Sequence, residues 1–115
     1  MKWSRKISNG VAYYNSESVS FNDDANKAVS IVFIHGVGLR AESWYRQFLA
    51  FDDNYPCYAI DMPGHGESAL LADSTLRLAD FAEVLKKFIN TVVKQPAIIV
   101  GHSLGAMTAL QTAVT

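Results

Sequence analysis

Ser103 lies in the run Gly101-His102-Ser103-Leu104-Gly105, directly after the apolar stretch Ala97-Ile98-Ile99-Val100 and ahead of an Ala/Leu-rich segment, residues 104–114. A strand that turns through Gly-x-Ser-x-Gly into a helix is the setting of a nucleophilic serine. The serine sits on a sharp, strained turn, and a side chain at either flanking position would collide with neighbouring backbone, which accounts for Gly101 and Gly105. The turn lifts the hydroxyl above the sheet edge and aims the first helical amides at the same point. The chemistry would be acyl transfer: attack of the serine oxygen on a carbonyl carbon, with backbone N–H groups facing the developing oxyanion. The alternative is a serine that merely caps the helix. A pentapeptide alone does not separate these readings; the strand before it and the helix after it favour the nucleophile.

A second loop supplies what such a serine needs. In His35-Gly36-Val37-Gly38, the two glycines let backbone approach a reacting carbonyl closely and turn an amide toward it. The N–H of Leu104 is one expected oxyanion donor; that of Val37 is the other, with Gly38 as its alternate. A base and an orienting acid are also required, and in the usual chain order for this turn both follow the serine. No Asp, Glu or His follows Ser103. Of the histidines that precede it, His102 adjoins the serine and points elsewhere. His35 starts the oxyanion loop, and His65 follows a strand expected two positions away, roughly 10 Å. None is a good substitute, so the isolated chain is expected to be inactive.

These residues need elements to hold them. Asn9-Gly10 between two short alternating stretches reads as a hairpin. Residues 16–27 are polar and Asn/Asp-rich, a surface loop. Residues 29–34 form a continuous apolar, β-branched run, as expected of a strand covered on both faces. Residues 42–51 place Trp44, Phe48 and Phe51 on one helical face, and residues 55–60 form the next strand. Leu78, Phe81, Ala82, Leu85, Phe88, Ile89 and Val92 follow helical spacing without a break, with Ser74 or Thr75 as the expected cap. The order is hairpin, then β-α-β-α-β-α: an α/β fold, a mostly parallel sheet with flanking helices, in one domain spanning residues 1–115. Loops after parallel strands emerge at one sheet edge, so the oxyanion loop, residues 61–68 and the serine turn should meet there, with the serine strand outermost.

Composition narrows the partners. The chain has 115 residues, half of them hydrophobic, and a net charge of -1, which offers no electrostatic case for nucleic acid or anionic membrane. Cys57 is the single cysteine, so no intrachain disulfide can form, and a buried free thiol is expected. The N-terminus lacks the apolar stretch of a signal peptide, and no run approaches a membrane span, so a cytoplasmic setting is the default.

In order and spacing, His35-Gly36-Val37-Gly38, Asp61-Met62-Pro63-Gly64-His65-Gly66-Glu67-Ser68 and Gly101-His102-Ser103-Leu104-Gly105 resemble the N-terminal half of an α/β-hydrolase. Residues 35–44 are similar to carboxylesterases that cleave small or carrier-bound esters. The resemblance implies Ser103 as nucleophile, Leu104 and Val37 as oxyanion donors, a bracing role for residues 61–68, a small-molecule ester as substrate and no cofactor. Serine rather than aspartate at the turn argues against dehalogenase and epoxide-hydrolase branches. The family's later strands, cap, acid and histidine are missing from the 115 residues. Their completion, or self-association through the exposed strand edge, is therefore an expectation.

Three other readings compete. Gly36-Val37-Gly38-Leu39-Arg40-Ala41 fits a dinucleotide-binding fingerprint, with Asp61 about twenty residues on. Gly64-His65-Gly66-Glu67-Ser68-Ala69 fits it as well, which shows how little the pattern selects, and a dinucleotide site has no use for the serine turn. His35, His65 and His102 share a sheet edge but lack the local spacing of metal ligands, so no metal is expected. A non-catalytic interaction module would exploit the edge of residues 97–100.

Overall fold

The computed structural model describes residues 3–16, 29–66, 68 and 77–114. Strands β1 (Trp3–Ser8) and β2 (Val11–Ser16) form the antiparallel hairpin, closed at Asn9 and Gly10, both with positive φ. β3 (Ser30–Ile34), β4 (Cys57–Ile60) and β5 (Ala97–Gly101) run parallel to one another, and the sheet order is β1-β2-β4-β3-β5. The result is a mixed five-stranded sheet with β5 at one edge and the hairpin at the other. The hairpin adds to β4 in antiparallel fashion through Tyr13, Tyr14 and Asn15.

β3 is buried along its whole length because its side chains serve two cores alternately. Ile31 and Phe33 pack with Ala41, Phe48, Cys57 and Ala59 on one face; Val32 and Ile34 pack with Ile60, Met62, Phe81, Leu85 and Phe88 on the other. The first face is covered by a 3-10 turn (Ala41–Trp44) that leads into α1 (Tyr45–Phe51), the second by α2 (Leu78–Phe88), with α3 (Leu104–Ala113) alongside. Cys57 is buried among these groups, and desolvation pushes its thiol up to about 12. Among the described residues no helix is long and apolar enough to cross a membrane.

Two expectations need correction. Phe51 was expected on the core face of its helix, but it is 44% exposed and belongs to neither core. Periodicity reports which side a residue faces, not whether the covering surface extends that far, and α1 ends at this residue. The unbroken helical stripe from Leu78 to Val92 is also interrupted: a π-helical turn, Ile89–Val93, follows α2 and ends at Lys94 with left-handed φ. The wider turn, closed by the Lys94 N–H to the Ile89 carbonyl at 2.7 Å, brings Val93 rather than Val92 fully inside. α2 begins after Arg77, whose N–H donates to the Asp80 carboxylate at 3.0 Å. The expected caps Ser74 and Thr75 lie outside the described residues, as does the polar loop beyond Ser16.

Candidate active site

The site is built where β3 and β5 end side by side. Their register pairs Ile34 with Gly101, and the His102 N–H donates to the Ile34 carbonyl at 3.1 Å. One residue later Ser103 takes φ 56°, ψ -113°, and α3 starts at Leu104. Positive φ in a residue with a Cβ costs on the order of 1–3 kcal/mol. The expense is not recovered by capping, because the Ser103 side chain makes no cap hydrogen bond and is exposed. The reading of Ser103 as a simple helix cap is therefore lost.

The flanking glycines are required by contact. A Cβ on Gly101 would overlap the Gly105 carbonyl, and one on Gly105 would overlap the Ile34 carbonyl and lie 2.8 Å from that of His35. The first turn of α3 thus rests directly on the end of β3. Gly36 makes a third close approach: a Cβ there would stand 2.8 Å from His102 Nδ1 and 3.3 Å from the Ser103 Cβ. The loop at Gly36 consequently lies in van der Waals contact with the serine turn.

Residues 36–39 form a tight turn closed by the Leu39 N–H to the Gly36 carbonyl at 3.1 Å, with Gly38 at φ 77°. Such a turn uses the N–H of its fourth residue and leaves those of its two central residues outward. Among the described residues, neither the Val37 nor the Leu104 N–H donates to another group of the chain. The Val37 side chain is 68% exposed, so its place in the loop is not dictated by core packing.

His35 holds the loop from beneath. Its ring is 1% exposed; Nε2 accepts the Met62 N–H at 2.9 Å and Nδ1 lies 2.7 Å from the Gly36 carbonyl. The Met62 donor fixes the tautomer, with the proton on Nδ1. Burial lowers the pKa of this ring, and neighbouring His65, at 4.9 Å between ring centroids, acts in the same direction; the Gly36 carbonyl offsets part of it. Both nitrogens are committed, so His35 is a structural clamp rather than a free base. His65 Nδ1 lies 3.1 Å from the Pro63 carbonyl within its own loop. Among the described residues no side chain is hydrogen-bonded to the Ser103 hydroxyl, and no group of three or more His, Cys, Asp or Glu could hold a metal ion.

Asp61 and Ser68 tie the site to the hairpin. The Asp61 N–H donates to the Ala12 carbonyl at 2.9 Å, the Ser68 hydroxyl donates to the Asp61 carbonyl at 2.5 Å, and the same hydroxyl accepts the Ala12 N–H at 2.8 Å. The Asp61 side chain, fully buried, accepts the Ala41 N–H at 2.7 Å and pairs with Arg5. Sequence reasoning missed Arg5, Tyr14 and Glu42, which join this network from distant parts of the chain. An arginine in an exposed-looking hairpin carries no local signal of a buried partner 56 residues away.

Beside the serine turn opens a cleft of about 210 Å³ lined by His35, Gly36, Leu39, Ser43, Trp44, Gln47 and His102. Its walls include no lysine, arginine or carboxylate. Its volume matches about seven waters, which suits a small uncharged group.

Comparison with known proteins supports the same framework. The sequence profile described as "Alpha/beta hydrolase family" matches residues 31–115. Over 85 residues the chain is 40% identical to (E)-2-((N-methylformamido)methylene)succinate hydrolase of Acinetobacter baylyi, covering 74% of this chain and 32% of that protein. It is 36% identical over 93 residues to pimeloyl-[acyl-carrier protein] methyl ester esterase of Methylococcus capsulatus, covering 81% and 34%. The crystal structure of an esterase from Mycobacterium tuberculosis superposes with a TM-score of 0.74 at 25% identity, over 96% of this chain and 36% of that one. An epoxide hydrolase from an endophytic Streptomyces gives 0.82 at 19% identity, covering 98% and 33%, a likeness of fold alone. The chain therefore spans about a third of the length of these relatives, and the dinucleotide-binding reading is not favoured. On the profile match, the relatives and the fold together, the chain belongs to the α/β-hydrolase family.

Proposed function

We propose that the protein is a serine hydrolase that cleaves carboxylic esters through an acyl-enzyme at Ser103. The observation that carries this reading is the serine itself: exposed, held at positive φ, unused as a cap, followed by the N–H of Leu104, unpartnered among the described residues, and in contact with Gly36, the residue before Val37. In the reaction, the Ser103 oxygen attacks the ester carbonyl carbon while a base takes its proton. The carbonyl oxygen becomes an oxyanion held by the Val37 and Leu104 N–H groups. Collapse breaks the C–O bond, the alcohol leaves with the proton from the base, and water then hydrolyses the acyl-enzyme to the acid.

The base and its orienting acid come from outside residues 1–115, in cis or from a second chain. This is supported by the engagement of His35 on both nitrogens and by the absence of Asp, Glu and His after Ser103. A cleft lined by no lysine, arginine or carboxylate favours an ester with a small neutral group on the side facing Trp44 and Gln47. That one similar protein is a methyl ester esterase agrees with this substrate class.

A serine-directed phosphonate tests the proposal. The isolated 115 residues should label weakly or not at all, and removing a triad member typically leaves only about 10³–10⁴-fold catalysis over water. Adding the segment that follows in a longer chain should restore labelling and turnover together, and Ser103→Ala should abolish both. Robust turnover by the 115 residues alone, lost on His65→Ala, would overturn the assignment of an outside base. Labelling and turnover that survive Ser103→Ala would overturn the nucleophile.

A further inference from the structure

We propose that Arg5 and Asp61 are positioning residues for the oxyanion loop, so that the N-terminal hairpin takes part in setting the donor geometry at Ser103. The inference rests on the reading of Val37 and Leu104 as oxyanion donors. Its starting point is where the buried carboxylate spends its hydrogen bonds. Asp61 is fully buried, and its Oδ1 accepts the N–H of Ala41, the first residue of the 3-10 turn that follows the loop. Its Oδ2 is bound by the Arg5 guanidinium, which comes from β1 and is 21% exposed. A carboxylate held at both oxygens cannot swing, so the loop's exit is pinned to the hairpin.

A second arm reaches the same place. The Arg5 guanidinium lies over the Tyr14 ring, 4.6 Å from its centroid, and the Tyr14 hydroxyl donates to Glu42 Oε2 at 2.8 Å. Glu42 Oε1 in turn accepts from Arg40 Nε at 3.0 Å. Residues 40, 41 and 42 are therefore each held from a side chain that the Arg5 network touches. The loop's entrance is held separately by His35, between the Gly36 carbonyl and the Met62 N–H. The free N–H of Val37 thus hangs between two fixed ends, and moving either end moves the donor.

An ion pair is not needed here for stability. Replacing a buried pair with well-packed neutral groups is often neutral or favourable, whereas removing one partner strands the other charge. What the pair supplies is a fixed acceptor for one particular N–H, at one particular point of the backbone. Arg5→Met should strand the Asp61 carboxylate and release Ala41, whereas Arg5→Met with Asp61→Asn keeps a neutral oxygen for Ala41 and leaves no stranded charge.

The test uses the full-length protein, with amide hydrogen exchange and ester kinetics measured on the same samples. For Arg5→Met, the hydrogen-bonded amides of Leu39 and Ala41 should lose protection while those of β3 keep theirs. Its kcat should fall by about 10²-fold, the cost of a donor misplaced by about 1 Å, with KM little changed. Arg5→Lys should recover most of the loss, whereas the double variant should regain stability but not kcat, because Ala41 then keeps an acceptor that is no longer tied to β1. Uniform loss of protection across the sheet, a double variant that regains the wild-type kcat, or unchanged exchange and kcat would each overturn the proposal. If the wild-type protein turns over no ester, the serine-hydrolase reading fails on its own, and the exchange pattern still decides whether Arg5 and Asp61 hold the loop.

Discussion

Gly105→Ala sets two physical effects against each other, and the structure decides the sign. Alanine in place of glycine inside a helix is worth up to about 1 kcal/mol in propensity. A 115-residue chain has an unfolding entropy near 0.24 kcal/mol per degree, from about 2.1 cal/mol/K per residue, so propensity alone would raise Tm by about 4 °C. The new Cβ, however, would overlap the Ile34 carbonyl and lie 2.8 Å from both the Ile34 carbonyl carbon and the His35 oxygen. All of these are backbone atoms at the end of a fully buried strand, so none can rotate away. Overpacking of this kind costs typically 1–3 kcal/mol, and the rigid neighbours place this case near the upper end. The net loss is about 2 kcal/mol, a fall of about 8 °C in Tm. The clash is relieved by moving α3 away from β3, which carries the Leu104 N–H with it, and a displacement of about 1 Å costs on the order of 10²-fold in rate. Circular-dichroism melts of the 115 residues measure the first quantity, and phosphonate-labelling rates of the full-length protein the second. A Tm at or above that of the wild type would refute the close approach of α3 to β3, and with it the physical reason offered for the second glycine.

Two further outcomes follow from the same geometry. Ser103→Gly should raise stability by about 1–2 kcal/mol while abolishing labelling, because glycine adopts φ 56° without the penalty of a Cβ; a Tm unchanged or lowered would mean that the turn stores no strain. The lowered pKa of His35 predicts a pH effect whose sign is fixed. Since the unfolded chain binds the proton more readily, stability is full above the ordinary histidine value near 6.5 and is lost as pH falls from there through the folded value. Urea midpoints at pH 7.5 and pH 5 should therefore differ, and His35→Gln should flatten that difference; an equal slope in the variant would show that another group is responsible.

Much of the site was legible because its signals are local. The steric demand on Gly101 comes from Gly105, four residues on, and is written directly into the pentapeptide, whereas that on Gly105 comes from the end of β3 and is carried by the motif without its cause being visible there. Equally local are the signals of the Asn9-Gly10 turn, both of whose residues take positive φ, and of the apolar run of β3, whose two faces pack into the two cores. Phe51 was misplaced, and Val93 passed over, by the opposite kind of cause. Where a helix outruns its covering surface, and where a π-helical turn shifts the register by a residue, the outcome depends on packing partners that periodicity does not include.

What the sequence determines by itself, then, is the set of elements, their order, and the three loops that converge where parallel strands end. Those follow from short-range sterics and from patterning at periods of 2 and 3.6, which neighbouring residues carry between them. The tertiary structure alone decides that His35 is clamped between Gly36 and Met62, and that Arg5 meets Asp61 across 56 positions of chain. It likewise decides that an exposed-looking tyrosine in the hairpin reaches Glu42, just after the Gly36–Leu39 turn. Charge pairing and hydrogen bonding act over a few ångströms of space whatever the separation in sequence. A polar residue therefore announces its chemistry but not its partner until the sheet has brought the two together.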